Sequence, residues 1–181
     1  MTRSLLADAF DHHVWATLQV LDLLAPLTDE QLATNVPGTY GTILDTARHL
    51  VGADRWYLST LTRGAVDEIA EDTMNIRELR AAMEPDAAAW AAVLATNPDP
   101  DVDFAFDRDD GTRSHATWGV RLAQAIDHGT DHRSQLFTAL TTLGTEPPEI
   151  DLWAWSFAVG KHWVDEAAVD EAPIDDAPTP A

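Results

Sequence analysis

The chain has 181 residues and is 45% apolar, with seven tryptophans, no cysteine and a formal net charge of −20. This length and composition are sufficient for one domain with a single core. The absence of cysteine excludes disulfides, thiolate metal sites and a cysteine nucleophile, so any metal must bind through nitrogen or oxygen. Because the chain has 31 acidic and only 11 basic residues, it would repel a phosphate backbone, which argues against nucleic-acid binding.

The amino terminus lacks the features of a signal peptide. Asp8 and Asp11 fall where such a peptide needs an apolar run, and no segment of the sequence reaches the length of a membrane span. We therefore expect a cytoplasmic protein with no membrane partner.

The first half of the chain predicts helices. Residues 5–25 place apolar side chains on one arc, with Ser4 as the N-cap and Pro26 ending the pattern. Residues 28–31 have the form of a capping box and predict a short helical turn. Thr42 then caps a second long helix, which ends at Gly64.

The middle of the chain predicts a divided helix and a hairpin. Residues 76–95 follow a helical pattern that Pro85 must kink or divide. Residues 102–106 alternate apolar and polar side chains, and Asp110-Gly111 before residues 112–115 is typical of a hairpin turn.

The last part of the chain predicts two helices and a tail. Thr117 caps a fourth long helix that ends at Gly144, and residues 152–163 predict a short final helix. Residues 165–181 hold six acids, three prolines and no base, which is typical of a disordered tail.

The fold class that follows is all-α. We expect residues 1–164 to form an antiparallel four-helix bundle with a small β-hairpin inserted before the last long helix and a short C-terminal helix.

Three histidines form the strongest chemical pattern. His128 and His132 are four residues apart in the fourth helix, so they project from one face with Cβ atoms roughly 6 Å apart. His49, in the second helix, would complete a three-histidine site. Three neutral nitrogens leave a coordination position open, which is typical of a catalytic rather than a structural site, and nickel, zinc or iron would suit it.

The alternative is that the histidine pair decorates an exposed helix face. The pair does not belong to a zinc-protease motif, because Gly129 occupies the position where that motif has its glutamate.

Other polar residues are candidates for the wall of a pocket. Arg121, Gln124 and Gln135 continue the polar flank of the two histidines on the fourth helix. His13 lies in the centre of the apolar arc of the first helix, where it is either a satisfied core histidine or a fourth ligand, hydrogen-bond donor or proton carrier.

Two charges fall on apolar arcs. Asp54 in the second helix and Arg133 in the fourth would be too costly to bury unpaired, so we predict that they meet as a buried ion pair joining the two helices.

The residues 49–56, His-Leu-Val-Gly-Ala-Asp-Arg-Trp, and 128–135, His-Gly-Thr-Asp-His-Arg-Ser-Gln, resemble the DinB-like (DinB/YfiT) superfamily. The resemblance implies a four-helix bundle, often dimeric, with a divalent metal held by His49, His128 and His132. Characterised relatives include transferases and isomerases that use bacillithiol, mycothiol or glutathione. The chain departs from the usual pattern in its first helix, where His12 and His13 replace an aromatic-asparagine pair.

These observations predict a metal-dependent enzyme that activates a small thiol or water for transfer or hydrolysis on a small-molecule substrate. The resemblance also implies a homodimer. An anionic thiol would require Arg48, Arg121 or Arg133 near the metal. The alternatives are a non-catalytic, stress-associated protein with a structural metal and an all-helical interaction module without metal. The sequence alone leaves open whether the protein is an enzyme.

Overall fold

The structure, a computed structural model that describes residues 3–165, is mostly helical with one two-stranded hairpin. Helix α1 spans Ala7–Leu24, α2 spans Asp29–Leu32 and α3 spans Ile43–Leu61. Thr28 forms the predicted capping box, in which the threonine hydroxyl accepts from the third helical backbone N–H. Thr42, predicted as an N-cap, also forms a capping box.

The predicted N-cap at Ser4 is wrong. Helix α1 begins at Ala7, and Leu6 holds the N-cap position without a side-chain hydrogen bond. The Ser4 hydroxyl instead accepts from the Leu6 backbone N–H at 3.2 Å, so it closes a local turn before the helix.

Pro85 divides the third helical region, as predicted. Helix α4 spans Ile76–Met83 and α5 spans Asp86–Ala95, and a 3₁₀ turn at Glu71–Thr73 precedes them. Proline lacks the N–H that would continue α4.

The hairpin precedes the last long helix. Strands β1 (Asp103–Asp107) and β2 (Arg113–Thr117) pair antiparallel, with Asp103 opposite Thr117. Helix α6 spans Trp118–Thr142 and is capped by Thr117, and α7 spans Leu152–Ala158. Of the predicted acidic tail, residues 166–181 lie outside the described residues.

The core lies between the long helices. Helix α3 packs on α6, and α1 packs on α4, α5, α6 and α7. Their buried side chains include Phe10, Leu58, Trp90 and Leu140. None of the helices described is both long and apolar enough to cross a bilayer.

A chain of buried polar groups crosses this core. Asp54 and Arg133 are buried, as expected, but the predicted direct ion pair is wrong because His13 lies between them. The His13 Nε2 atom lies 2.8 Å from Asp54 Oδ1, and Arg133 Nη1 lies 3.2 Å from His13 Nδ1. Arginine donates only, so Nδ1 accepts and the proton of a neutral imidazole is on Nε2, facing the carboxylate. One histidine thereby connects α1, α3 and α6.

Asp54 and Arg133, at the two ends of this series of polar groups, form further hydrogen bonds. Trp90 Nε1 donates to Asp54 Oδ2 at 3.1 Å, and Arg133 donates to the Thr17 and Thr130 hydroxyls, both at 3.1 Å. Burial lowers the pKa of Arg133 to about 10, although the Asp54 charge opposes the shift. Buried charges persist when they are hydrogen-bonded, and here both carboxylate oxygens of Asp54 and both terminal nitrogens of Arg133 have partners.

Gly129 makes room for His13. A Cβ atom at position 129 would lie 2.3 Å from His13 Cε1 and 2.9 Å from Arg133 Nη1. Both neighbours belong to buried, hydrogen-bonded side chains. The helix therefore needs glycine where the zinc-protease motif has glutamate.

A second buried carboxyl group lies beside Asp54. Asp86 accepts from Arg55 Nη1 at 2.8 Å through Oδ1, whereas its buried Oδ2 atom has no protein partner among residues 3–165. Burial and the Asp54 charge raise the pKa of Asp86 to about 7, although Arg55 opposes the shift. Asp86 therefore retains its proton well above the usual range of a carboxyl group.

We predict that Gly129→Ala destabilises the protein by about 1–3 kcal/mol, because the methyl group overpacks His13 and Arg133. Alanine favours a helix over glycine by about 1 kcal/mol, so Ala123→Gly, at an exposed position of α6, measures that opposing effect. Urea unfolding checks both variants. If Gly129→Ala raised the free energy of unfolding, His13 would not pack against this backbone.

We also predict a pH-dependent contribution from Asp86. The folded protein holds this proton to about pH 7, whereas the ordinary pKa is 3.8. The contribution is therefore full below pH 3.8 and is lost as the pH rises towards 7. The free energy of unfolding of the metal-free parent, minus that of Asp86→Asn, should decrease as the pH rises from 4.5 to 7.5. The same difference for Asp109→Asn, an exposed control, should stay flat, and a flat result for Asp86 would contradict the shift.

Candidate metal centre

The three predicted metal ligands lie together between α3 and α6. One ring nitrogen from each of His49, His128 and His132 lies within 4.8 Å of the others. His132 is buried, whereas His49 and His128 are half-buried. The pairing of α3 with α6 brings the single histidine of one helix against the pair on the other.

The spacing of one pair of ring nitrogens fits a cation. His49 Nε2 and His128 Nε2 lie 3.1 Å apart. Metal–nitrogen bonds of about 2.05 Å in a tetrahedron would hold two ligands about 3.3 Å apart. The distance therefore matches two imidazoles that share an ion.

The protonation of the site also suits a metal. Burial, followed by the neighbouring His132 and His49, lowers the pKa of His128 to about 4. Burial, followed by His132, lowers the pKa of His49. Both rings are therefore neutral near pH 7, which is the form that coordinates a cation.

Gln135 orients His132. Its Oε1 atom accepts from His132 Nδ1 at 3.2 Å and from the Tyr40 backbone N–H at 2.8 Å, and its Nε2 atom donates to Asp131 at 2.9 Å. The proton on Nδ1 leaves the Nε2 lone pair of His132 for a metal.

Tyr40 covers one side of the triad. Its ring stacks on the His49 ring, with centroids 4.0 Å apart and an interplanar angle of 4°. It is nearly perpendicular to the His132 ring, with centroids 5.6 Å apart. Because Gln135 also holds the backbone of Tyr40, one amide group positions both a ligand and the ring that packs on another ligand.

A cavity of about 330 Å³ opens beside the triad. His49 and His128 form one wall, and Trp56, Tyr57, Glu68 and Glu71 form others. The Glu71 carboxylate packs directly on α3, since a Cβ atom at Gly52 would lie 1.1 Å from its Oε2 atom. Burial, and then the charge of Asp72, raise the pKa of Glu71.

The predicted pocket residues lie in different places. Gln135 contacts the triad, whereas His13, Asp54 and Arg133 form the buried chain described above. Arg121 donates to the Phe104 carbonyl at 2.9 Å and lies over the rings of Phe104 and Phe106, so it joins α6 to the hairpin. Gln124 is exposed. None of these residues lines the cavity beside the triad.

Sequence reasoning missed Tyr40, Tyr57 and Glu71. Tyr40 belongs to a loop rich in turn-forming residues, and Glu71 belongs to a short 3₁₀ turn, so neither has a helical pattern that would predict its direction. Gly52, in the interior of a helix, was the available signal, because such a glycine often marks a close approach by another group.

The comparisons with known proteins identify the family. The family model described as DinB family matches residues 1–162 of the chain, so the chain belongs to the DinB family. A comparison with curated proteins found no significant match.

We predict that Gln135→Met weakens metal binding by about 10–100-fold, because His132 loses the partner that fixes its tautomer and ring orientation. Competition with a chromophoric chelator measures the affinity. Gln124→Met, at an exposed position of the same helix, should leave it unchanged. Equal affinities in parent and Gln135→Met would contradict the role of Gln135.

Proposed function

We propose that this member of the DinB family is a metal-dependent enzyme in which His49, His128 and His132 hold a divalent cation such as nickel, zinc or iron. The observation that carries the proposal is the approach of three ring nitrogens to within 4.8 Å of one another. When bound, the cation would supply Lewis acidity that lowers the pKa of a coordinated thiol or water and so prepares a nucleophile for transfer or hydrolysis.

The residues of the chain perform the supporting tasks. Gln135 holds His132 in the tautomer that leaves the Nε2 lone pair free, and Tyr40 stacks on His49. The cavity beside His49 and His128 gives a small-molecule substrate access to the centre. A ligand set of three residues next to such a cavity favours catalysis over a purely structural metal, for which a closed set of four protein ligands is usual.

The frame we propose is an antiparallel four-helix bundle. Helix α3 packs on α6, while α1 packs on α6 and on the divided helix formed by α4 and α5. Four antiparallel helices would give these contacts. The homodimer expected from the family resemblance stays a prediction.

We predict that the untagged protein, reconstituted and desalted, carries close to one divalent metal per chain by elemental mass spectrometry. A variant with both His128→Ala and His132→Ala should lose it, because a single imidazole remains, and His49→Gln should lose most of it. His115→Ala, an exposed histidine of the hairpin, serves as the matched control and should retain the metal.

Circular dichroism and thermal unfolding of the apo-proteins check that each variant is folded. A folded parent that takes up no nickel, zinc, iron or cobalt would overturn the proposed function, and equal metal content in parent and double variant would move the site elsewhere.

A further inference from the structure

The cavity beside the three histidines is acidic and aromatic. Glu68 and Glu71 supply carboxylates, and Trp56 and Tyr57 supply ring surfaces. Neither lysine nor arginine is among the described residues, 3–165, that line it. Carboxylates together with aromatic faces form a favourable environment for an organic cation and an unfavourable one for an anion.

Gly52 permits Glu71 to take its position. Position 52 is one turn beyond His49 on α3, and the Glu71 carboxylate occupies the volume that a side chain there would fill. Among residues 3–165, no protein group forms a hydrogen bond or salt bridge with the Glu71 carboxylate. A half-buried, unpaired carboxylate facing a cavity lacks a counterion.

The arginines that were expected to attract an anionic thiol are occupied elsewhere. Arg48 donates to the Met74 carbonyl at 2.9 Å, Arg121 is bonded to the hairpin, and Arg133 is buried in the core. Arg55, also on α3, donates to the Asp67 carbonyl and to Asp86. None of these four guanidinium groups forms a hydrogen bond or salt bridge with Glu68 or Glu71.

A neighbouring cavity of about 710 Å³ differs in composition. It shares Trp56 and Glu68 with the first cavity and extends towards the hairpin. Its lining includes three arginines, Arg63, Arg108 and Arg113, and three aspartates. Its charges are mixed. The preference for a cation is therefore a property of the smaller cavity, next to the histidines.

We infer that this smaller cavity binds a protonated amine on the substrate, a few atoms from the thiol or other group that reaches the three histidines. The inference rests on the proposed function and specifies its substrate class as amine-bearing rather than anionic. The formal charge of −20 on the chain acts in the same direction, because it raises the local concentration of cations and lowers that of anions.

Three small thiols that differ in charge test this inference. The probes are 2-aminoethanethiol, 2-mercaptoethanol and mercaptoacetate, which carry an ammonium group, a neutral hydroxyl and a carboxylate. Each is titrated into the cobalt-loaded protein at pH 7.5, and binding is followed through thiolate-to-cobalt charge-transfer absorption. Because the same three thiols are compared in parent and variant, differences in their intrinsic acidity cancel.

Glu71→Gln should weaken binding of the amine thiol about fivefold while binding of the neutral thiol changes less than about twofold. Binding of mercaptoacetate should improve. Gly52→Ala should reproduce this pattern, because the added methyl group displaces the flexible end of Glu71. Glu149→Gln, an exposed residue, makes the same change in net charge and should alter none of the three affinities.

The outcomes separate this inference from the proposed function. Failure of the folded parent to take up nickel, zinc, iron or cobalt would overturn the proposed function and the inference with it. Cobalt binding with equal changes for all three thiols in Glu71→Gln, or without binding of the amine thiol to the parent, would overturn the inference alone and leave the metal centre standing.

Discussion

The position of the site depends on the hydrogen-bonded chain Asp54–His13–Arg133. It joins α1, α3 and α6 in the middle of the core, and two of these helices carry all three histidines of the candidate metal centre. Apolar packing alone tolerates small sliding of one helix along another, whereas a buried carboxylate and a buried guanidinium lose their compensation as soon as their partner moves. The hydrogen-bonded series Asp54–His13–Arg133 therefore fixes the register of α3 against α6. It thereby also fixes the 3.1 Å separation of the Nε2 atoms of His49 and His128.

Two glycines extend this control to the backbone. Gly129 lies next to His128, and its missing side chain lets the ring of His13 pack against α6. Gly52 lies one turn from His49, and its missing side chain lets the carboxylate of Glu71 pack against α3. Both glycines are in helix interiors, where glycine costs roughly 1 kcal/mol relative to alanine. In each case the missing side chain lets a polar group from another element come close to a helix that bears ligands.

The sequence was sufficient for the features that depend on local patterns. Threonine caps at Thr28, Thr42 and Thr117, the break at Pro85 and the hairpin before α6 were confirmed because short-range hydrogen bonding and proline geometry decide them. The histidine grouping followed from helical spacing and the resemblance together. The insertion of His13 between Asp54 and Arg133 could not be predicted, since the helical periodicity shows that each is buried but not how far apart they lie across the core. Tyr40 and Glu71 come from segments outside the α-helices, and the direction of these segments depends on tertiary packing.

The charge of the site follows from the same arrangement. Arginine is the usual means of attracting an anion to a metal centre, yet Arg133, directly after His132, completes the buried series Asp54–His13–Arg133. Arg48, directly before His49, donates to the Met74 carbonyl. Glu71 meanwhile faces the cavity without a partner among the described residues. Three neutral imidazoles would leave the charge of a divalent cation uncompensated, and nearby carboxylates offset part of it. A substrate that presents a thiolate to the cation and an ammonium group to Glu71 would match both charges at once, whereas a substrate with a carboxylate in place of the ammonium group would match only the first.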